Sequence, residues 1–178
     1  GQPLDDGPTT LTGEAAGDEA GSSVAGAGDV DGDGIDDLVT LGDSIVAFIG
    51  NGDGTFDSPW SWNTEGRDIR DIALGDVDGD GDLDLVSTNF SVNESAFYFR
   101  NTGDGSFAAP QTIFGGQTVS ISVDLGDMDG DGDADLAFGT GTSGAVRLFR
   151  LKNDGSFAQF DSVSVGSDVS ITELVDIN

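Results

Sequence analysis

Three acidic stretches are the parts of this chain with chemistry to offer. Asp29-Val30-Asp31-Gly32-Asp33-Gly34 recurs as Asp76-Val77-Asp78-Gly79-Asp80-Gly81 and as Asp127-Met128-Asp129-Gly130-Asp131-Gly132. Counting the first aspartate as position 1, odd positions 1 to 9 read Asp29, Asp31, Asp33, Ile35 and Asp37 in the first copy. They read Asp76, Asp78, Asp80, Asp82 and Asp84 in the second, and Asp127, Asp129, Asp131, Asp133 and Asp135 in the third. Four carboxylates gathered within a few ångströms repel one another by several kcal/mol, at about 4 kcal/mol per close pair near a protein surface. They splay, take up protons, or surround a cation. Positions 1, 3, 5 and 9 are aspartate in every copy and are the expected side-chain ligands. Position 7 changes from Ile35 to Asp82 and Asp133, which assigns it a backbone carbonyl. Glycine at position 6 permits a sharp turn about the ion, and glycine at position 4 leaves room for the carboxylates to converge.

An all-oxygen, carboxylate-rich set suits Ca2+ at three sites. Mg2+ demands a tighter octahedron, and zinc or copper is disfavoured in a chain with neither His nor Cys. The loops are not EF-hands: position 12 holds Thr40, Ser87 and Phe138 where a bidentate Glu is needed, and strand-like sequence follows instead of a helix. Binding energy at such loops is largely folding energy, so a structural role is expected rather than a helix-opening switch.

The elements that must carry these loops are strands. A second landmark follows each loop, Asp53-Gly54-Thr55-Phe56, Asp104-Gly105-Ser106-Phe107 and Asp154-Gly155-Ser156-Phe157, which defines a repeat of about fifty residues. Within each unit a short apolar run precedes the acidic loop (Ile69–Leu74, Ile121–Leu125) and a second follows it (37–41, 84–88, 135–138). A third run (45–49, 96–99, 146–149) leads through an Asp-Gly turn to a fourth that starts at the repeated Phe. No window has a useful helical period. Four antiparallel strands per unit match a propeller blade, and Ala25, Gly26 and Ala27 suit an innermost strand crowded at an axis. The fold class expected is therefore all-β: about three complete blades in one domain over 1–178, with an outer strand at 9–13, units at about 14–62, 63–115 and 116–167, and the start of a fourth unit at 168–178. Three blades do not close a ring, so the remainder of a longer chain, or self-assembly, is expected to complete it.

Composition narrows the partners. Thirty-four acidic residues against six basic ones give a formal charge of −28, which repels nucleic acid and anionic membranes. Neither a nucleic-acid partner nor direct membrane insertion is expected, since no apolar stretch approaches a bilayer span. Disulfides are excluded by the absence of Cys, and calcium sites of moderate affinity fill where the ion is abundant, which favours an extracellular or cell-surface location.

The run Gly13 to Asp18, continued by Ala25-Gly26-Ala27-Gly28-Asp29 through Val39, resembles the FG-GAP repeat of integrin α-subunit propellers, and units two and three resemble the related VCBS repeats. Phe138-Gly139 falls at the family's Phe-Gly pair, whereas Leu41-Gly42 and Thr88-Asn89 stand near it in the other units. The resemblance covers residues 13 to 178. It implies a calcium-stabilised β-propeller, commonly seven-bladed, of the kind found in adhesins, lectins, matrix proteins and non-catalytic parts of secreted enzymes.

The expected function is a non-catalytic extracellular scaffold or adhesion module whose partner is a protein or glycan at the cell surface. Two alternatives stand beside it. In a carbohydrate-binding propeller, Trp60, Trp62 and Tyr98 would stack on sugar rings. In an accessory portion of a secreted polysaccharide-degrading enzyme, Asp71 and Asp124 are the carboxylates left over from the loops. No His, Cys or nucleophile elbow argues for catalysis, and Lys152 reads as a hairpin residue. Asn89 and Asn93 each open an Asn-x-Ser sequon, which makes a glycoprotein one expectation.

Overall fold

The computed structural model describes residues 23–90, 93–115, 119–141 and 144–166. The expected outer strand at 9–13 and the start of a fourth unit at 168–178 lie outside them.

Twelve strands form three four-stranded antiparallel sheets, and no helix occurs among the described residues. The first sheet contains β1 (Ser23–Gly28), β2 (Asp37–Leu41), β3 (Ser44–Gly50) and β4 (Phe56–Asn63). The second contains β5 (Ile69–Gly75), β6 (Asp84–Asn89), β7 (Ala96–Phe99) and β8 (Gln111–Phe114). The third contains β9 (Ser120–Gly126), β10 (Asp135–Thr140), β11 (Ala145–Leu151) and β12 (Phe157–Ser164). Each sheet is a meander in chain order, the blade topology expected from the repeat. The registers superimpose, since Leu38 pairs Phe48, Leu85 pairs Phe99 and Leu136 pairs Phe149.

The sheets pack face to face through two cores. Side chains alternate across a strand, so the middle sheet serves both neighbours. Leu85, Phe97 and Phe99 join Val39, Leu41 and Ile45 of the first sheet. Val86, Ala96 and Tyr98 join Val123, Leu136 and Phe138 of the third. All six residues of β6 are buried for this reason. The first strands lie side by side, β1 by β5 and β5 by β9, and Asp71 Oδ2 accepts the Val123 N–H at 3.1 Å between the last two. Farther out, Trp62 packs on Phe97 and Phe99 with centroids 5.6 and 5.0 Å away, and Phe114 repeats the contact on Phe138 and Phe149 at 5.0 and 4.7 Å.

One strand differs from expectation. The fourth strand of the second unit begins at Gln111 rather than Phe107, which keeps only an isolated bridge to Asn101. Pro110 intervenes, but its equivalent Pro59 lies inside β4 beside a register shift, so the proline alone does not end the ladder.

Candidate metal sites

Each acidic loop joins the first strand of a sheet to the second, and all three copies wind the same way. The position-1 carboxylate receives two backbone N–H groups, from the glycines at positions 4 and 6. Gly32 and Gly34 donate to Asp29 at 2.8 and 2.9 Å, Gly79 and Gly81 to Asp76 at 2.8 and 3.0 Å, and Gly130 and Gly132 to Asp127 at 2.6 and 3.1 Å. These donors require a left-handed backbone at both glycines, with φ of 78° and 88° in the first loop, 75° and 96° in the second, and 82° and 102° in the third.

Position 9 starts the second strand and is buried. Asp37, Asp84 and Asp135 each accept the N–H of loop residue 2, from Val30 at 2.7 Å, Val77 at 3.1 Å and Met128 at 3.0 Å. The carboxylate thereby ties the two ends of its loop together. Asp37 also accepts the Gly50 N–H and Asp84 the Asn101 N–H, each at 2.8 Å, from the end of the third strand or just beyond it.

The carboxylates converge. In the first loop Asp29, Asp31 and Asp33 present oxygens within 4.8 Å of one another, while Asp37 is occupied by Val30 and Gly50. In the second the trio is Asp76, Asp78 and Asp84, and in the third it is Asp127, Asp129 and Asp135. Asp80 and Asp131, the position-5 residues, stand outside these trios and cap the following turn, accepting the N–H of Asp82 and Asp133 at 3.1 Å. The position-7 side chains face elsewhere: a Cβ on Gly50 would lie 3.2 Å from Ile35 Cγ2, one on Gly103 2.9 Å from Asp82 Oδ2, and one on Gly79 2.5 Å from Asp133 Oδ1. That orientation agrees with a backbone-carbonyl role at position 7.

The electrostatics are those of crowded anions. Burial pushes the Asp84 carboxyl up to about 6, against the opposing hydrogen bonds from Asn101, Tyr98 and Val77. Burial, followed by neighbouring carboxylates, also raises Asp31 and Asp78, and burial raises Asp135. A divalent cation would reverse this by favouring the ionised oxygens. Clustered hard oxygens, with glycine-built turns around them, fit such an ion at each loop.

Two arginines missed by sequence reasoning complete the picture. Arg100 Nη1 lies 3.3 Å from Asp80 Oδ2 and 4.0 Å from Asp78 Oδ2, and Arg150 Nη1 lies 2.8 Å from Asp129 Oδ2. Strand register makes them equivalents, each one residue past the Phe99 or Phe149 that pairs Leu85 or Leu136. The first sheet has Ile49 there. The signal was present in the chain, as Arg recurring at one offset before the second landmark, Asp104 and Asp154.

Other candidates are placed differently. Trp60 Nε1 donates to the Phe107 carbonyl at 3.0 Å while its ring packs on Phe99 and Phe107, and Tyr98 is buried with its hydroxyl on Asp84. Arg67 lies 5.4 Å above Trp62. These aromatics are engaged in packing between blades. Asp71 bridges β5 to β9, and Asp124 accepts the N–H of Leu125 at 2.9 Å. Asn89 is buried with its amide donating to the Glu94 carbonyl, whereas Asn93 is exposed. At the end of the sheets opposite the acidic loops, a polar cleft of about 530 Å³ opens between Gly42-Asp43 and the 63–69 connection, lined by Asn63, Thr64, Arg67 and Asp68.

Three stacked four-stranded meanders, each with an acidic loop between its first and second strands, define a β-propeller-type repeat by architecture. The FG-GAP-like repeat model matches twice, over residues 29–87 and 76–138. The chain belongs to the FG-GAP-like repeat family. Comparison with curated proteins finds no match. Among solved structures it is similar to an Agrocybe aegerita lectin described for specific recognition of non-reducing terminal N-acetylglucosamine, at 20% identity and a TM-score of 0.50. The alignment covers 76% of this chain and 36% of that one, so the chain spans about a third of the lectin's length.

Proposed function

We propose that this chain is a non-catalytic, calcium-stabilised propeller segment of an extracellular or cell-surface protein, serving as a scaffold or adhesion module. The observation that carries the reading is the threefold recurrence of one loop geometry, with a carboxylate trio within 4.8 Å in every copy. Calcium on each trio neutralises the repulsion and fastens the first strand of the blade to its second. Further blades fit the exposed ends of the stack. Phe56 is 37% exposed on the first sheet and Val163 52% exposed on the third. Their counterparts Phe107 and Phe114 pack against the adjoining sheet.

The test is thermal unfolding of the metal-stripped chain with and without calcium. Each filled site contributes about 2.7 kcal/mol at a free concentration 100-fold above Kd, so melting should rise by many degrees, and by less in magnesium. An unchanged melting temperature in millimolar calcium overturns the reading.

A second reading, glycan binding, is favoured by the polar cleft between the first two sheets and by the lectin whose fold this chain shares. Asp43, Asn63 and Asp68 offer hydroxyl partners there. Binding on a glycan array lost in Asn63→Ala would support it, and an array blank in saturating calcium would exclude it for this segment.

A further inference from the structure

The second acidic loop reaches the first through one side chain. Asn101 is fully buried, and its backbone N–H donates to Asp84 Oδ1 at 2.8 Å. Its Nδ2 donates to the Leu83 carbonyl at 2.9 Å and, across the junction between sheets, to the Val30 carbonyl at 2.8 Å. Its Oδ1 accepts the Gly103 N–H at 2.9 Å, so the amide is held in one orientation. Val30 is the residue between Asp29 and Asp31, and its own N–H is bound to Asp37. The same turn brings Gly105 against Asp31, where an added Cβ would lie 3.4 Å from the Asp31 Cβ.

We propose that Asn101 is a positioning residue that couples the first two metal sites, so that calcium in the second raises the affinity of the first, and the reverse. The proposal rests on the metal-binding reading above and adds to it a regulation of filling. Asp84 belongs to the second carboxylate trio, and mutual repulsion drives that trio apart when no cation holds it. A cation on the trio fixes Asp84 in place, and with it the Asn101 N–H that donates to its Oδ1. The Asn101 amide then clamps the peptide from which Asp29 and Asp31 project, so the first site is ordered before its ion arrives. Linkage makes the effect reciprocal.

The equivalent positions lack this device. Gly50 in the first sheet donates its N–H to Asp37 but has no side chain, and Leu151 in the third is apolar. The second and third loops meet instead by a backbone bond, Ala134 N–H to the Asp76 carbonyl at 2.9 Å.

The experiment is calorimetric calcium titration of the full chain with the third site silenced by Asp129→Ala. Adding Asp78→Ala removes the second site, and affinity at the first should fall about tenfold, within the range of ordinary coupling. With Asn101→Ala also present, Asp78→Ala should change the first site by less than about twofold on the same scale. An Asp78→Ala effect that is absent, or that is the same size with and without Asn101, overturns the coupling. No calcium uptake by the unsubstituted chain would instead sink the metal reading itself. Should Asn101→Ala fail to fold, hydrogen exchange on an Asp31→Ala chain decides the matter. Calcium at the second site must still slow exchange at Val30 and Gly32, and unchanged exchange there overturns the proposal.

Discussion

The Tyr98 hydroxyl donates to Asp84 Oδ2 at 2.9 Å, placing an uncharged donor behind the buried carboxylate of the second loop. Strand register puts Ala47 and Leu148 at the equivalent points of the other sheets, so only this carboxylate has a phenol behind it. Burial, then the charge of Asp84, pushes the phenol well above its usual range, and it stays a donor at any physiological pH. Tyr98→Phe keeps the ring on Phe157 and removes only the hydrogen bond. Partners behind a ligand typically tune metal affinity 10- to 100-fold. Calcium affinity at the second site should therefore fall by about tenfold, with the third unchanged, as read by titration of chains retaining single sites.

The carboxylates give the metal-free chain an unusual pH dependence. Asp84 has its folded value raised from 3.8 to about 6, so the folded state keeps a proton that the unfolded chain has released. Stability from this group is full below about pH 4 and is lost as pH rises through 6, on the order of 3 kcal/mol for a two-unit shift. Asp78 and Asp135 are shifted in the same direction. Melting temperature of stripped protein should therefore fall between pH 4 and 6.5. Excess calcium should invert the slope, because binding expels those protons. Asp84→Asn should flatten the metal-free curve, and equal slopes with and without calcium would refute the assignment.

Arg100 and Arg150 act as tethered cations beside the second and third loops, while Ile49 leaves the first loop without one. Both guanidinium side chains are about half exposed, at 51% and 49%, so their attraction is screened. A guanidinium near the ligands competes with an incoming ion. Arg150→Ile should tighten calcium at the third site by about twofold to fivefold, the range set by an exposed ion pair of up to about 1 kcal/mol. Raising salt should narrow the difference between variant and parent, which calorimetry at two ionic strengths would check.

Much of this was legible in the chain because periodicity carries it. Strand alternation and the Asp-Gly turns located the twelve strands to within a few residues, apart from the start of β8, which falls at Gln111 and not at Phe107. Spacing also located the loops. What spacing could not reveal is which carboxylates meet, since Asp33 joins the first trio while Asp84 and Asp135 join the others. That depends on side-chain torsions and on donors far away in sequence, such as Asn101, 71 residues from its partner Val30. Trp60, Trp62 and Tyr98 were ambiguous for a related reason. An aromatic on the third or fourth strand serves a ligand or the next blade alike, and only the packed neighbour, Phe97, Phe99, Phe107 or Phe157, distinguishes the two.

The junction between the first two sheets should be the place where packing losses are felt most. Phe99 is fully buried there, with Trp60 edge-on at 5.8 Å and Trp62 at 5.0 Å, and Trp60 is further held by its hydrogen bond to the Phe107 carbonyl. Removing a fully buried Phe costs about 3–5 kcal/mol, and each aromatic pair adds about 0.5–1.5 kcal/mol beyond area burial. Phe99→Ala should thus destabilise the chain by about 3–5 kcal/mol in calcium, whereas Phe56→Ala, at an exposed position, should cost within about 0.5 kcal/mol as surface changes usually do. Because the same junction carries the Asn101 bond to Val30, Phe99→Ala should also weaken the first metal site. Denaturant unfolding in calcium and in chelator measures both effects. Equal losses for Phe99→Ala and Phe56→Ala would mean that the two sheets are not held together through this core.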